Sequence, residues 1–346
     1  MPALTDQMLP MITNATLQRR LDTRTKPQGS LGALETLAVR IGLALDTETP
    51  VFRAPQMFVF AGDHGIATDG VSAYPQSVTS QMLLNYLHGG AAINVLARQH
   101  GISLRVVDAG VASDTGEHPS LVARAIARGT RNFRVEPAMT QAQCTQALDT
   151  GRALAQEALS AGSNALLFGE MGIGNTACAS MLLHRRTGWS LEDCVGRGTG
   201  LDDVGLARKR ERLAAASARR PEKLSPLETI AEYGGFELAM ITGALLATAD
   251  AKCIAVIDGF AVSVAALLAI EIDPRVRTRC IFSHCSAEHA HRNLLAHLDV
   301  KPLLDLGMRL GEGTGAAMAW PIIDAAARLM TEMASFESAG VDDKAS

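Results

Sequence analysis

One carboxylate stands alone in the stretch MRLGEGTGAAMAWP, residues 308–321: Glu312, flanked by glycines and followed by a long apolar segment. Near a helix N-terminus the macrodipole favours a carboxylate anion, whereas partial burial against apolar walls raises the pKa, and a general base needs a compromise of that kind. The same position suits a capping residue, so two readings of Glu312 stand side by side: helix cap, or a carboxylate held toward a ligand. The surrounding GEGTGA, residues 311–316, formally meets the G-x-G-x-x-A dinucleotide fingerprint. No further strand completes a βαβ unit and no acidic residue closes a second strand, which argues against a nicotinamide dinucleotide.

Two more glycine-rich stretches carry candidate chemistry. In GEMGIGNT, residues 169–176, an apolar run passes through a glycine turn into Asn175 and Thr176, both available as caps and donors. Backbone amides around Gly172, Ile173 and Gly174 either form a nest for a phosphate or make an ordinary strand-to-helix turn that needs positive φ. No G-K-[ST] follows, so this is not a Walker loop. In GRGTGLDDVGLARK, residues 196–209, Gly198 offers a second turn, and Lys209 reads either as a point charge reaching a phosphate or as a solvated face residue. A third set, GDHG at 62–65 and SHCSAEHAH at 283–291, supplies Asp63, His64, His284, Cys285, Glu288, His289 and His291. Glu288 and His291 share a helical face at i, i+3, which serves a carboxylate-bridged metal pair only when it occurs twice, and no H-E-x-x-H is present. Polar roles around an organic ligand are the preferred reading, with no metal and no cofactor, and a metal-dependent hydrolase built on Asp63, His64, His284 and His291 is the competitor.

Such residues need a frame. Short β-branched or aromatic runs recur at 56–62, 102–110, 164–170, 253–259 and 279–284, each reading as a strand buried on both faces. Longer segments with helical spacing lie between them, such as SVTSQMLLNYL and TQAQCTQALDTGRALAQEALSAG. Alternation of the two predicts an α/β fold with a parallel, Rossmann-like sheet and helices on both faces. Ligands of such sheets bind outside the carboxyl ends of the strands, and there the glycine-rich, polar segments named above all fall. Residues 1–50 and 314–346 depart from the alternation; they predict a small helical subdomain made from both chain ends, with 51–313 as the large α/β domain. A helix opening at GSLGALETLAVRIG takes Ser30 as N-cap, the C-terminal helix runs from about Thr314 to Phe336, and the tail ESAGVDDKAS reads as frayed.

Composition narrows the class. The 346 residues carry 32 basic and 36 acidic side chains, a formal charge of −4, which offers no basic field for nucleic acid, and 4% aromatic content offers little stacking surface. Six cysteines form no C-x-x-C pair and read as reduced, which places the expected compartment in the cytosol. The N-terminus lacks a basic-then-apolar export signal, and the apolar region 236–270 is interrupted by Glu237, Asp250, Lys252 and Asp258, so it reads as core rather than a membrane span.

Taken in order, KPQGSLGALETLA, GDHG, SAYPQSVTSQM, GGAAINVLA, GEMGIGNT, GRGTGL with its lysine, GGFELAMITG, DGF, SHCSAEHAH and MRLGEGTGAAMA resemble the nicotinate-nucleotide–dimethylbenzimidazole phosphoribosyltransferase family of the cobalamin pathway. The resemblance runs from about Lys26 to Ala334. It implies transfer of the phosphoribosyl group of nicotinate mononucleotide to 5,6-dimethylbenzimidazole, giving α-ribazole 5′-phosphate and nicotinate with inversion. It also implies a large α/β domain, a small helical one from both chain ends, and a homodimer. By position, Glu312 matches the family's catalytic base and Glu170 a second active-site carboxylate. Gly172, Ile173, Gly174, Asn175, Thr176, Gly198 and Lys209 match the region holding the nucleotide phosphate. Tyr74 and Met82 fall where relatives contact the incoming base, several of them with Ser and Gln there; Leu310 joins Met82 in an apolar wall for the ring.

Overall fold

The computed structural model describes residues 12–342. It divides into two compact units, Arg53–Trp320 and a second made from the residues before Arg53 with those from Pro321 onward. Residues 1–11 and 343–346, which the reading of the chain ends included, lie outside the described residues.

The Arg53–Trp320 unit is built on one sheet of six parallel strands: β1 (Gln56–Gly62), β2 (Ser103–Gly110), β3 (Leu121–Ala123), β4 (Ala165–Met171), β5 (Ile254–Ile257) and β6 (Cys280–Phe282). Their spatial order is β3-β2-β1-β4-β5-β6, so the chain winds outward from β1 in one direction and from β4 in the other. A doubly wound sheet buries both faces of its central strands, which is why Met57–Ala61 and Ala165–Phe168 are apolar without alternation and fully buried. The five predicted strands are all present. The edge strand β3 escapes the sequence pattern because three residues, half-buried at most, carry no periodic signal.

Helix packing depends on two glycines. Helix Gln141–Ser160 opens on a Thr140–Gln143 capping box, the Gln143 amide donating to Thr140 Oγ1 at 3.1 Å and the Thr140 amide to Gln143 Oε1 at 3.0 Å. It lies against helix Phe236–Thr248 so closely that a Cβ at Gly243 would stand 1.9 Å from the Leu148 carbonyl oxygen, and one at Gly151 1.8 Å from that of Met240. Alanine would add about 1 kcal/mol of helix propensity. The overlap is with rigid backbone, so separation of the helices dominates, and Gly243→Ala is expected to lower stability by roughly 1–3 kcal/mol in chemical denaturation. An unchanged or raised midpoint would show that the helices part at no cost.

The apolar region 236–270 forms two buried helices, Phe236–Thr248 and Phe260–Ile272, before and after β5 in the chain and packed against each other, and no helix among the described residues is long and apolar enough to cross a membrane. All six cysteines are free and buried.

In the other unit, helices Asn14–Asp22 and Ala33–Leu45 pack where Gly42 admits the Leu17 side chain; a Cβ there would meet it at 2.7 Å. The predicted N-cap Ser30 does not cap. Gly32, at φ 54°, precedes the helix, and Glu35 serves its entry by accepting from the Leu31 amide at 3.0 Å and pairing with Lys26 at 2.8 Å. The two chain ends bond directly, the Thr25 amide to the Ala334 carbonyl at 3.1 Å and the Phe336 amide to that of Thr23 at 3.0 Å. The C-terminal helix ends at Glu332, short of Phe336, and a capped turn, Phe336–Ala339, replaces the start of the expected frayed tail because Ser335 and Ser338 close a capping box.

Candidate active site

The strand order reverses between β1 and β4, and at the carboxyl edge of the sheet the segments that follow β4, β5 and β6 line a crevice. The Gly311–Gly313 turn lies over β4 there. A Cβ at Gly169 would stand 2.4 Å from the Gly313 amide nitrogen and 2.5 Å from the Glu312 carbonyl carbon, so this strand position admits glycine alone. The Glu312 amide donates to the Glu170 carbonyl at 3.2 Å. Glu312 itself has φ 65°, a left-handed conformation costly for a side chain of its size.

The leading amides of helix Thr314–Glu332 go to another residue. Asp258, just past β5, accepts from the Gly313 amide at 3.1 Å and the Ala316 amide at 2.9 Å. Capping is therefore done by Asp258, and the Glu312 carboxyl is left to face Tyr86. Burial pushes the Glu312 pKa up to about 7; the Tyr86 hydroxyl opposes that rise and Asp258 adds to it. Burial, and then Glu312, push the Tyr86 phenol well above its ordinary value, and its hydroxyl has no well-formed hydrogen bond.

Glu170 ends β4 beside that turn. Its carboxylate accepts from the Asn175 side-chain amide, while Asn175 Oδ1 accepts from the Thr176 amide at 2.7 Å. Burial, then repulsion from Glu237 and Asp258, push Glu170 up to about 8, with Asn175 and His64 pulling the other way. A carboxyl raised in the fold destabilises it from its unfolded pKa upward, and the cost is complete above the folded value. Glu170→Gln is accordingly expected to stabilise the ligand-free protein by on the order of 1–3 kcal/mol at about pH 8 and to change little near pH 5. Thermal unfolding at the two pH values checks this, and equal shifts at both would refute it.

The turn Gly172–Thr176 opens helix Asn175–Thr187, with Gly174 at φ 101°. As a phosphate nest it is more occupied than the sequence suggested. The Ile173 amide donates to Thr79 Oγ1 at 3.0 Å, the Asn175 amide to the Gly172 carbonyl at 3.1 Å, and that of Thr176 to Asn175. Positive charge comes instead from Lys209. The solvated-face reading of this residue fails: it is fully buried, its ammonium donating to Thr176 Oγ1 at 3.0 Å and to the Gly196 carbonyl at 3.2 Å. Burial pushes its pKa down to about 8, against the pull of Glu288 and Cys178.

A narrow cavity of about 70 Å³ runs past these groups, and Glu170, Gly172, Ile173, Asn175, Thr176, Gly198 and Leu310 all line it. Gly174, Lys209 and Glu312 stand behind its wall. Tyr74 and Met82 do not line it: Tyr74 is half exposed, and Met82 is half-buried on helix Ser77–Leu87. Thr79 and Tyr86 share Met82's face at i−3 and i+4, a spacing that could have flagged both. Arg309 and Ser286 also line the cavity; each lies within a stretch the sequence marked, but neither was singled out there.

The residues of the metal reading are engaged with other partners, although the His284 and His291 rings lie 6.1 Å apart. His64 contacts Glu237 at 3.0 Å and Cys178 Sγ at 3.0 Å; burial opposes its charge, but Cys178 and Glu237 outweigh it and leave the pKa well above normal. His284 stands 3.7 Å from Asp258, and His291 bonds Ser263 at 2.9 Å and the Ser286 amide at 2.8 Å. Among the described residues no group of three or more His, Cys, Asp or Glu could hold a metal ion.

The phosphoribosyltransferase family profile matches residues 9–341. The chain is 52% identical over 340 residues to the nicotinate-nucleotide–dimethylbenzimidazole phosphoribosyltransferase of Cupriavidus taiwanensis, covering 98% of this chain and 97% of that one. It is 54% identical over 331 residues to the protein of the same name from Dechloromonas aromatica, covering 95% of each. The crystal structure of CobT from Thermus thermophilus superposes with a TM-score of 0.92 at 43% identity, covering 96% of this chain and 99% of that one.

Proposed function

This chain belongs to the nicotinate-nucleotide–dimethylbenzimidazole phosphoribosyltransferase family, and from that premise we propose that it moves the phosphoribosyl group of nicotinate mononucleotide onto 5,6-dimethylbenzimidazole with Glu312 as general base. The observation that carries this reading is the pairing of two buried, pKa-raised carboxyls, Glu312 and Glu170, through one backbone hydrogen bond, beside a buried lysine.

The chemistry asks for that set. One nitrogen of neutral dimethylbenzimidazole attacks C1′ from the face opposite nicotinate; the C1′–N bond breaks and its electron pair leaves with nicotinate. The other ring nitrogen would become cationic unless its proton departs, and Glu312 takes that proton as the charge develops. At a pKa of about 7 it is basic enough to accept and anionic often enough to be ready. Glu170, one hydrogen bond away, faces the ribose and the cationic character at C1′. Lys209, Thr176 and the dipole of helix Asn175–Thr187 hold the 5′-phosphate. Tyr74, Met82 and Leu310 enclose the flat base, with the exposed Tyr74 and Leu310 side chains folding over it when it binds. A cytosolic homodimer working without metal or cofactor completes the reading.

The test is direct: incubate the protein with nicotinate mononucleotide, with and without dimethylbenzimidazole, and follow nicotinate by chromatography. Acceptor-dependent nicotinate release with matching α-ribazole 5′-phosphate supports the assignment. Release that ignores the acceptor, or none, overturns it.

A further inference from the structure

Asp258 is a buried carboxylate with no substrate-facing task in the mechanism above, yet three features of the site converge on it. Its two oxygens hold the Gly313 and Ala316 amides at 3.1 and 2.9 Å, directly after the left-handed Glu312. It is 1% exposed, with His284 Nε2 beside it at 3.7 Å. It stands close enough to both active-site carboxyls to repel each of them.

The geometry points to Asp258 as a positioning residue for the reaction, one that fixes the turn carrying Glu312 and sets the charge this carboxyl faces. The inference rests on the reading of Glu312 as general base. A left-handed glutamate persists only where its surroundings over-determine it. Here the bond from the Glu312 amide to Glu170 holds one side of the residue, and the bond from Gly313 to Asp258 holds the other. Serine or asparagine at this position is neutral and offers one side-chain oxygen, so each keeps at most part of this bonding. What only a carboxylate adds is two acceptors at once and a negative charge that makes Glu312 harder to ionise and a stronger base when ionised.

The groups facing this pair come from three elements. Tyr86 on helix Ser77–Leu87 lowers the Glu312 pKa, and Asp258 raises it. Glu170 at the end of β4 is itself under the influence of Asp258, Glu237 and His64, and His284 follows β6. Neutralising Asp258 therefore has a definite sign: it removes a repulsion that raises Glu312, so the acid limb of the rate profile moves to lower pH.

The experiment measures kcat against pH for Asp258→Asn and Asp258→Ser, both neutral N-cap residues, and for Asp258→Glu, with unfolding midpoints taken alongside. In the neutral variants the plateau is expected to fall on the order of 10- to 100-fold and the acid limb to move down by about half to one pH unit, with KM for nicotinate mononucleotide within about threefold. Asp258→Glu, which keeps the charge, should return the limb toward its parent position. A limb that stays in place in whichever neutral variant folds overturns the proposal, however far the plateau falls, because a purely structural cap would slow the reaction without moving it. Failure of the underlying reading looks different: the parent protein then has no acid limb, or Glu312→Gln retains the full rate.

Discussion

Glu312→Gln is expected to reduce kcat by roughly 10²–10⁴ while leaving KM for nicotinate mononucleotide within about threefold. The amide has the carboxyl's shape, and the two hydrogen bonds that hold the turn use the backbone of Glu312 and Gly313, so the fold and the nucleotide half of the site survive. What the proposed mechanism loses is the acceptor for the proton that leaves the attacking base. The pH dependence gives the same residue a second signature. The proposed mechanism uses the anion, and the folded pKa is raised to about 7, so activity in the parent is expected to fall as pH drops through that value. The variant should show a low rate without that limb. Initial rates of nicotinate formation between about pH 5 and 9, with circular dichroism as a fold check, decide the matter. A variant that keeps the parental velocity removes Glu312 from the mechanism.

Lys209→Met should act on the other half of the reaction. Loss of a buried charge paired with a phosphate typically costs about 2–4 kcal/mol, equivalent to roughly 30- to 1,000-fold in kcat/KM, and the loss should fall mainly on KM for nicotinate mononucleotide. The ammonium in the ligand-free protein titrates at about 8, below its ordinary 10.5, so kcat/KM should decline as pH rises through 8 and the variant should lose that decline. Stability moves oppositely. Between about pH 8 and 10.5 the unfolded chain binds the proton that the folded lysine has lost, so the parent gains stability as pH rises through that window. Methionine removes this dependence and the cost of burying the charge. Steady-state kinetics and denaturation on one preparation check both halves; an unchanged KM would leave Lys209 a structural residue.

Much of the frame is legible in the sequence. Apolar runs of strand length separated by helical spacing are a local signal, and they located β1, β2, β4, β5 and β6 to within a few residues because strands buried on both faces have no room for polar side chains. The glycine turns were legible for a related reason: at Gly174 the backbone is left-handed, and at Gly169 another backbone occupies the space a side chain would need. Helix entries were less secure. Ser30 is of a type that caps helices, but the helix starts after Gly32 with no side-chain cap, and Glu35, paired with Lys26, holds the Leu31 amide just before it.

The type of each functional group and the edge of the sheet it would reach were thus set by the sequence, through patterns extending over ten or twenty residues. What each group does there depends on neighbours far away in the chain. Asp258 frees Glu312 from capping across more than fifty positions, Tyr86 faces it from another helix, and Lys209 becomes a buried cation only because Thr176 and Gly196 close around it. Burial and long-range contact determine a pKa, and neither is written in local spacing. Only the folded chain could give one carboxylate a raised pKa, make another a cap and bury a surface-looking lysine.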